Sequence, residues 1–457
     1  MTTTDDLRKF LEDQPETELI ELVIPDMAGC LRGKRIPRRE FESVFDTGFN
    51  IPGGTVMLDV MGNNCDGVRY GSTDGDPDVS AHVVTGTLAP MPWVSQPAGQ
   101  ALFSLFDRDG SPYFADSRNL LDRVAERLRR RGLKMVMATE LEFFLLEAEC
   151  DTPTPHLPRV FGTNQKQGGN QTYQTDDLWQ IEKFLSELTT CCKKQNLPIS
   201  TAISEFAPGQ LEINLHHVDD PLRACDHAVL LKRATKAVAL RHGFVACFMA
   251  KPFAEEAGSG LHIHISLVDE DGNNFFSHGK PEFAVPPYSP ELRSAVGGLL
   301  ESMGDCMALF APNANSYRRL RPDFYAPVMA NWGTNHRQVS VRIPLSGPEN
   351  TRIEHRTAGA DANPYLVAAA ILMGIDAGLD ANSEPPEMVA EGSDVDLRVT
   401  LPIRWDQALD QFLQSHVISD YFGRQYQEAY EGVRRTEAQR FHNEISERDF
   451  QWYLRQV

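Results

Sequence analysis

The sequence predicts two domains, a small β-rich one at the N-terminus and a larger α/β or α+β one after it. Three observations predict this. Short apolar runs broken by Pro and Gly fill the first third, strand-like and helical periods alternate from residue 117 onward, and 457 residues suffice for two or three domains with a buried core.

Taken in order, 18–24 and 30–36 read as strands around a turn at 25–29, and 51–112 is dense in Gly and Pro. The boundary falls near 113, giving domains 1–113 and 114–457. Leu120, Leu121, Val124 and Leu128 then recur at helical spacing, which predicts a helix over 117–131. Further helices read at 176–195, 220–242, 289–311 and 363–379. Strands read at 134–147, 203–215, 244–251, 261–268, 337–345 and 352–356.

Composition narrows the function. The balance of 44 basic against 64 acidic residues leaves a net charge of −20, which repels a phosphate backbone and argues against nucleic acid or an anionic membrane as partner. The longest apolar run, 366–375, is about half a bilayer span and reads as a core helix. Residues 1–16 are acidic and carry no apolar signal segment. Eight cysteines form no CxxC pair, and Cys191 and Cys192 are adjacent, so a reducing cytoplasm is expected. The sequon Asn170-Gln171-Thr172 is then a chance match.

The chemistry sits on strands with one apolar and one charged face, since residues two apart on a strand point the same way. His262, His264 and Ser266 share a face in 261–267, Glu140 and Glu142 share one, and so do Glu212 and Asn214, with Glu205 just upstream. Arg352, Glu354 and Arg356 alternate likewise, and Arg342 lies between Val341 and Ile343. Each pattern alone has a plain reading: a solvated edge for Glu-x-Glu, a satisfied pair for His-x-His, an ion-pair ladder for Arg-x-Glu-x-Arg. Together, with core-like residues on the opposite faces, they line an enclosed channel. Carboxylates of one sign buried there repel unless cations neutralise them.

Five carboxylates with one or two imidazoles suit two or more Mg²⁺ or Mn²⁺ ions, whereas zinc uses more His or Cys. Arg319, Arg337, Arg342, Arg352 and Arg356 offer forks for phosphates and carboxylates, which points to phosphoryl transfer from ATP. No GxxxxGK[ST] loop exists, so the channel itself would hold the nucleotide. A metal-dependent amidohydrolase is the rival class, but its His pair opens a barrel and recruits further His. Here the pair stands mid-chain among Glu and Arg. A non-catalytic relative would have lost ligands that this chain keeps.

The strings GSGLHIHISL (258–267), ELEFFLL (140–146), EFAPGQLEIN (205–214), NSYRRL (315–320), RIEHR (352–356) and NPYLVAAA (363–370) resemble, in order, the motifs of the glutamine synthetase superfamily. CLRGKRIP (30–37), FYAPVMANWGTNHRQVSVRIP (324–344) and AGADANPYLV (358–367) look most like its glutamate–putrescine ligases of polyamine catabolism. The resemblance implies an α+β fold: an N-terminal β-grasp domain, then a catalytic domain whose curved, antiparallel-rich sheet lines a metal and ATP channel. It implies ATP-dependent ligation of the glutamate γ-carboxyl to a small amine, with a monoamine, ethanolamine or ammonia as alternatives to putrescine. It also implies a two-ring oligomer, a dodecamer, with active sites between neighbouring subunits.

By position, Glu142, Glu205 and Glu212 would hold one metal, and Glu140, His262 and Glu354 a second. His264 and Ser266 would contact ATP, Arg337, Arg342 and Arg352 would steady its phosphates, and Gly258, Arg319 and Arg356 would hold glutamate. Arg337, Arg356 and Tyr325 would act on the reacting groups. The chain departs from ammonia-using members in the ammonium pocket. Their Asp-Gly-Ser-Ser segment reads Asn50-Ile51-Pro52-Gly53-Gly54, their flap Glu falls on Tyr325, and an Asn that touches glutamate is Ala257. Around 393–402 no counterpart of the adenylylated Tyr appears. Tyr325 and Trp332 are then expected to shape a larger amine pocket, with Asp59, Asp66 and Asp323 as candidate anchors for a distal ammonium.

Overall fold

The computed structural model describes residues 2–71, 73–169, 172–277, 288–322, 325–393 and 398–457, which leaves Asp323 and the Asn170-Gln171 sequon positions outside the described residues. The fold is α+β and is built on two sheets. The first is made of β1 (Leu19–Pro25), β2 (Leu31–Pro37), β3 (Phe49–Pro52), β4 (Asp78–Val83), β5 (Ala89–Pro90) and β6 (Ala98–Phe106). Its path is β2-β1-β6-β4-β3, with β1 antiparallel to β2 but parallel to β6. A helix, Ser117–Arg129, follows. Its N-cap Asp116 accepts the amides of Arg118 and Leu105, so one carboxylate both starts the helix and ties it to β6.

The second sheet is formed by β7 (Lys134–Glu147), β8 (Ile199–Ser204), β9 (Gln210–Leu215), β10 (Phe244–Cys247), β11 (Leu261–Val268), β12 (Trp332–Thr334), β13 (Val341–Ile343) and β14 (Ile353–His355). Its path is β12-β13-β14-β11-β7-β9-β8, antiparallel except for the parallel pair β12–β13, and β10 joins β7. Along β11, Leu261, Ile263, Ile265 and Leu267 are fully buried on one face while His262, His264 and Ser266 take the other.

Several boundaries differ from the sequence expectation, each for a local reason. The strand expected over 203–215 is a hairpin, β8 and β9, because Gly209 holds a φ of +76° in the turn between them. The strand expected over 337–345 shrinks to β13, preceded by β12. The helix over 176–195 breaks at Ile181, and the one over 289–311 becomes Pro290–Ser302 and Met307–Phe310.

The apolar run read as a core helix is Pro364–Ala381, and 78% of its most hydrophobic window is buried. Its N-cap Asn363 accepts the Tyr365 amide and donates to the Asp26 carbonyl and Ser117 Oγ, joining the first sheet's turn to the core. Below it, Asp226 pairs with Arg118 at 2.9 Å and accepts the Tyr365 hydroxyl at 2.6 Å, so a buried charge is fully partnered. The helix crosses Pro290–Ser302 backbone to backbone: a Cβ on Gly298 would lie 2.2 Å from the Gly374 carbonyl oxygen and 2.4 Å from Gly378 Cα. Gly298→Ala is therefore expected to destabilise by about 3 kcal/mol, the upper end of overpacking costs. A thermal melt checks it; an unchanged midpoint would refute the close crossing.

All eight cysteines are free, and five of them are buried, so no disulfide supports the fold.

Candidate active site

Strand register brings the charged residues together. On one face of the second sheet Arg342 stands opposite Glu354, and Glu354 opposite His264. One step along, His262 stands opposite Glu140, Glu140 opposite Asn214, and Glu142 opposite Glu212. Glu140 Oε2 is 3.2 Å from His262 Nδ1, and its Oε1 lies 2.9 Å from His264 Nε2 without hydrogen-bond alignment. Arg342 Nη1 donates to Glu354 Oε2 at 2.6 Å, and Arg356 Nη1 donates to the other oxygen. The Gly260 amide donates to Glu142 Oε2 at 2.6 Å.

These carboxylates split into two electrostatic kinds. Burial alone would raise Glu354, but Arg356, His264, His262 and Arg342 outweigh it and hold its pKa at about 2. Burial opposes ionisation of Glu140 too, yet contact with His262 and His264 keeps it well below the usual carboxylate range. Glu212 is the reverse. Burial, then the charges of Glu140, Glu142 and Glu205, push it up to about 9. Glu205 is raised to about 7 by burial and then by Glu142. Acids forced upward by their own neighbours mark a place where positive charge belongs.

A dication fits that place. Ligands about 2.1 Å from one Mg²⁺ in octahedral geometry lie ~3 to ~4.2 Å apart. The ligand atoms of Glu140, His262 and Glu354 all fall within 4.8 Å of one another, and so do those of Glu142, Glu212 and His262. Glu205 belongs to neither tight group, although its carboxyl is close enough to feel Glu142. Buried polar atoms without a partner point the same way: His264 Nε2, Asn214 Oδ1, and the Nε atoms of Arg342 and Arg356. Other buried unpartnered polar atoms lie elsewhere in the chain, but these four come together on this one face.

Beside this cluster is a cleft of about 420 Å³, bordered by Glu140, Asn214, His264, Ser266 and Arg352. Arg352 Nε donates to His264 Nδ1 at 3.3 Å. Sequence reasoning missed His216, His217 and Ser200, which border the same cleft. His216 could have been found, because it follows Glu212 and Asn214 at the same two-residue spacing. On the other side, the Arg319 guanidinium is buried and donates to the carbonyls of Thr357 and Arg356. Its path needs glycine. A Cβ on Gly258 would lie 2.7 Å from Arg319 Cγ, and one on Gly260 would lie 2.9 Å from Arg319 Nη2. Arg337 is exposed, and its charge reaches Glu205. Tyr325 is half-exposed, with its ring 5.7 Å from that of Phe206, the neighbour of Glu205.

Two candidates for the amine pocket are placed elsewhere, and a third is left on the surface. Trp332 is 2% exposed, pairs with Val341 on the face away from Arg342, and gives its indole N–H to the Pro386 carbonyl at 2.8 Å. It is a core residue of this chain. Asp59 is buried, capped by the amides of Met61 and Asn63 and ion-paired with Arg440, so its charge is already committed. Asp66 is fully exposed, 3.9 Å from Arg440.

Comparison with known proteins follows the same lines. The model of the glutamine synthetase catalytic domain matches residues 114–453. γ-Glutamylputrescine synthetase PuuA of Escherichia coli is 38% identical over 454 residues, covering 99% of this chain and 95% of that protein. Glutamate–isopropylamine ligase of a Pseudomonas species is 29% identical, covering 98% and 97%. γ-Glutamylethanolamide synthetase GlnA4 of Streptomyces coelicolor is 29% identical, covering 96% and 92%. The solved structure of ligand-free GmaS superposes with a TM-score of 0.83 at 25% identity, over 98% of this chain and 99% of that one.

Proposed function

This chain belongs to the glutamine synthetase family, and from that premise we propose that it ligates the γ-carboxyl of L-glutamate to an organic amine at the expense of ATP, with putrescine as the leading substrate. The observation that carries the reading is the row of buried Glu212 and Glu354 and partly buried Glu140 and Glu142 around His262, next to a cleft of about 420 Å³, within the size range of small-molecule sites. Glu140, His262 and Glu354 would hold one Mg²⁺ or Mn²⁺, and Glu142, Glu212 and Glu205 another. When bound, these ions supply charge neutralisation on the triphosphate and the transferring phosphoryl group.

The chain's own residues do the positioning. His264, Ser266 and Arg352 border the cleft that would take the nucleotide, and Arg342 and Arg337 would meet its phosphate oxygens. Gly258, Arg319 and Arg356 would form the glutamate side, where a guanidinium fork matches a carboxylate. The γ-carboxylate of glutamate attacks the γ-phosphorus, the bond to the bridging oxygen breaks, and ADP leaves. The amine then attacks the γ-glutamyl phosphate carbonyl, loses a proton and expels phosphate. An alkylamine carries its proton at neutral pH, near a pKa of ~10 as for lysine, so that proton must be lost before attack.

The 38% identity to γ-glutamylputrescine synthetase PuuA, against 30% to the glutamine synthetase of Halobacterium salinarum, supports an organic amine over ammonia. So do the absence of the acidic segment at 50–54 and the tyrosine at 325. The test is ADP release with glutamate and a panel of putrescine, spermidine, ethanolamine, isopropylamine and ammonia. Putrescine is expected to exceed ammonia in kcat/KM by at least about tenfold; a maximum for ammonia would reject the organic-amine assignment.

We further infer a cytoplasmic two-ring oligomer, a dodecamer, whose sites are completed by a neighbouring subunit. The exposed apolar residues Ile445, Phe450, Trp452 and Leu454 at the C-terminal end support self-association. A solution mass of one chain would contradict it.

A further inference from the structure

Between β10 and β11 the chain makes a closed loop, 251–258, that ends beside Arg319. The Ser259 amide donates to the Ala250 carbonyl at 2.9 Å, so the two ends of the loop meet. Closure needs glycine: a Cβ on Gly258 would lie 2.5 Å from the Ala250 carbonyl oxygen. Ala254 and Glu255 are exposed at the loop's outer edge, yet Lys251 is only 4% exposed. A lysine is almost never so buried unless its ammonium is engaged. Here the ammonium reaches across the loop and donates to the Glu256 carbonyl. Burial, then the charge of Arg321, lowers its pKa to about 8 against the pull of Glu255 and Glu256. The fold keeps a charged group where an apolar one would be easier to bury.

The same lysine is held from outside the loop. Asn315 Oδ1 accepts the Lys251 amide at 2.9 Å, and Asn315 Nδ2 donates to the Lys251 carbonyl at 2.9 Å. Arg321 Nη1 donates to the Ala254 carbonyl at 3.1 Å. Asn315, Arg319 and Arg321 stand on one short segment, so the loop is fastened to the stretch that carries the buried Arg319 guanidinium. Its far end is tied by Gln210, whose Nε2 donates to the Gly258 carbonyl at 3.1 Å. Ala257 packs into a small apolar cluster with Phe144, Leu146 and Ala207. Beside Arg319, then, residues 257 and 258 present backbone and no polar side chain, and a backbone contact is only as good as the placement of its loop.

We propose that Lys251 and Asn315 are positioning residues for glutamate, which clamp the 251–258 loop so that Gly258 and Arg319 keep one fixed spacing. This rests on the glutamate role given to Gly258 and Arg319 above. Lys251 acts from inside the loop, through the Glu256 carbonyl, and Asn315 from outside, through the Lys251 backbone. Neither side chain needs to touch the substrate. Both set the ground that the substrate meets, so their loss should weaken glutamate binding more than it slows the chemical step.

The test uses the full-length protein with Lys251→Met, Lys251→Arg and Asn315→Ala. Methionine keeps the stem and loses the donor, whereas arginine keeps a donor. Lys251→Met is expected to raise KM for glutamate about tenfold or more, the size of a lost charge-assisted hydrogen bond, and Asn315→Ala about 3- to 10-fold. In both, kcat at saturating glutamate and KM for ATP should stay within about threefold. Lys251→Arg should recover most of the lost affinity. Glutamate should also raise the melting temperature of wild type and Lys251→Arg, and raise it less in the other two at the same concentration. An unchanged KM for glutamate in either folded variant overturns the clamp. So does an equal rise in KM for ATP, which would mean general loosening, and so does arginine no better than methionine, which would make packing the cause. If Lys251→Met fails to fold, Asn315→Ala decides. A wild type that glutamate stabilises but that releases no ADP with any amine rejects the ligase reading instead, and the thermal shifts then decide the clamp.

Discussion

Glu212→Gln is expected to lower turnover by about 10³-fold or more while making the metal-free protein melt higher than wild type at alkaline pH. The loss would follow from removing a proposed metal ligand, and with it the electrostatic stabilisation of the phosphoryl group. The gain follows from the fold. Burial and three neighbouring acids raise the Glu212 pKa to about 9 from an ordinary 4.5. The folded state therefore binds this proton more tightly than the unfolded chain does, and stability of the metal-free protein falls as pH rises from about 4.5 towards 9. Glutamine removes the titration, so the gap between variant and wild type should open over that window and be widest above pH 9. Adding Mg²⁺ should raise the wild-type midpoint and barely move the variant. A functional surface acid would show neither effect. Retained turnover, or an equal Mg²⁺ response, would take Glu212 out of the metal site.

Arg337→Ala should lower kcat by about 10²- to 10³-fold, the effect of deleting one donor aimed at developing negative charge. Its value as a test lies in where the residue sits. Arg356 is buried against Glu354, and removing it would leave a buried carboxylate unpaired and put the fold at risk. Arg337 is exposed, on the segment just before β13, and its charge is felt by Glu205. The alanine variant should keep the wild-type melting temperature and the full Mg²⁺ response. Arg337→Lys should recover only part of the rate, because a point charge does not reproduce a guanidinium fork. A kcat within about threefold of wild type would remove Arg337 from the reacting centre.

The charged strand faces were legible because alternation is local. His262 and His264, Glu140 and Glu142, and Glu212 and Asn214 each needed only two-residue spacing inside an apolar strand to be placed on one side. Trp332 was misread for a complementary reason. It lies three residues from Asn335, whose side chain does contact Arg342, but a three-residue strand gives too little alternation to tell the core face from the site face. Asp59 looked available because its partner Arg440 is 381 positions away along the chain. Tyr173 and Phe206 carried no periodic signal at all. Only a positive φ sets Tyr173 apart, and only its exposure Phe206.

What the sequence determined by itself is the inventory: which side chains share a strand face, that acids and arginines crowd an interior surface, and which motifs stand in which order. Those depend on covalent spacing and strand pleat. Only the tertiary structure decided that Glu354 faces His264, that Glu212 opposes Glu142, and that Trp332 turns inward. Register between strands is fixed by which apolar faces bury together across more than two hundred residues of chain, and no local pattern encodes that choice.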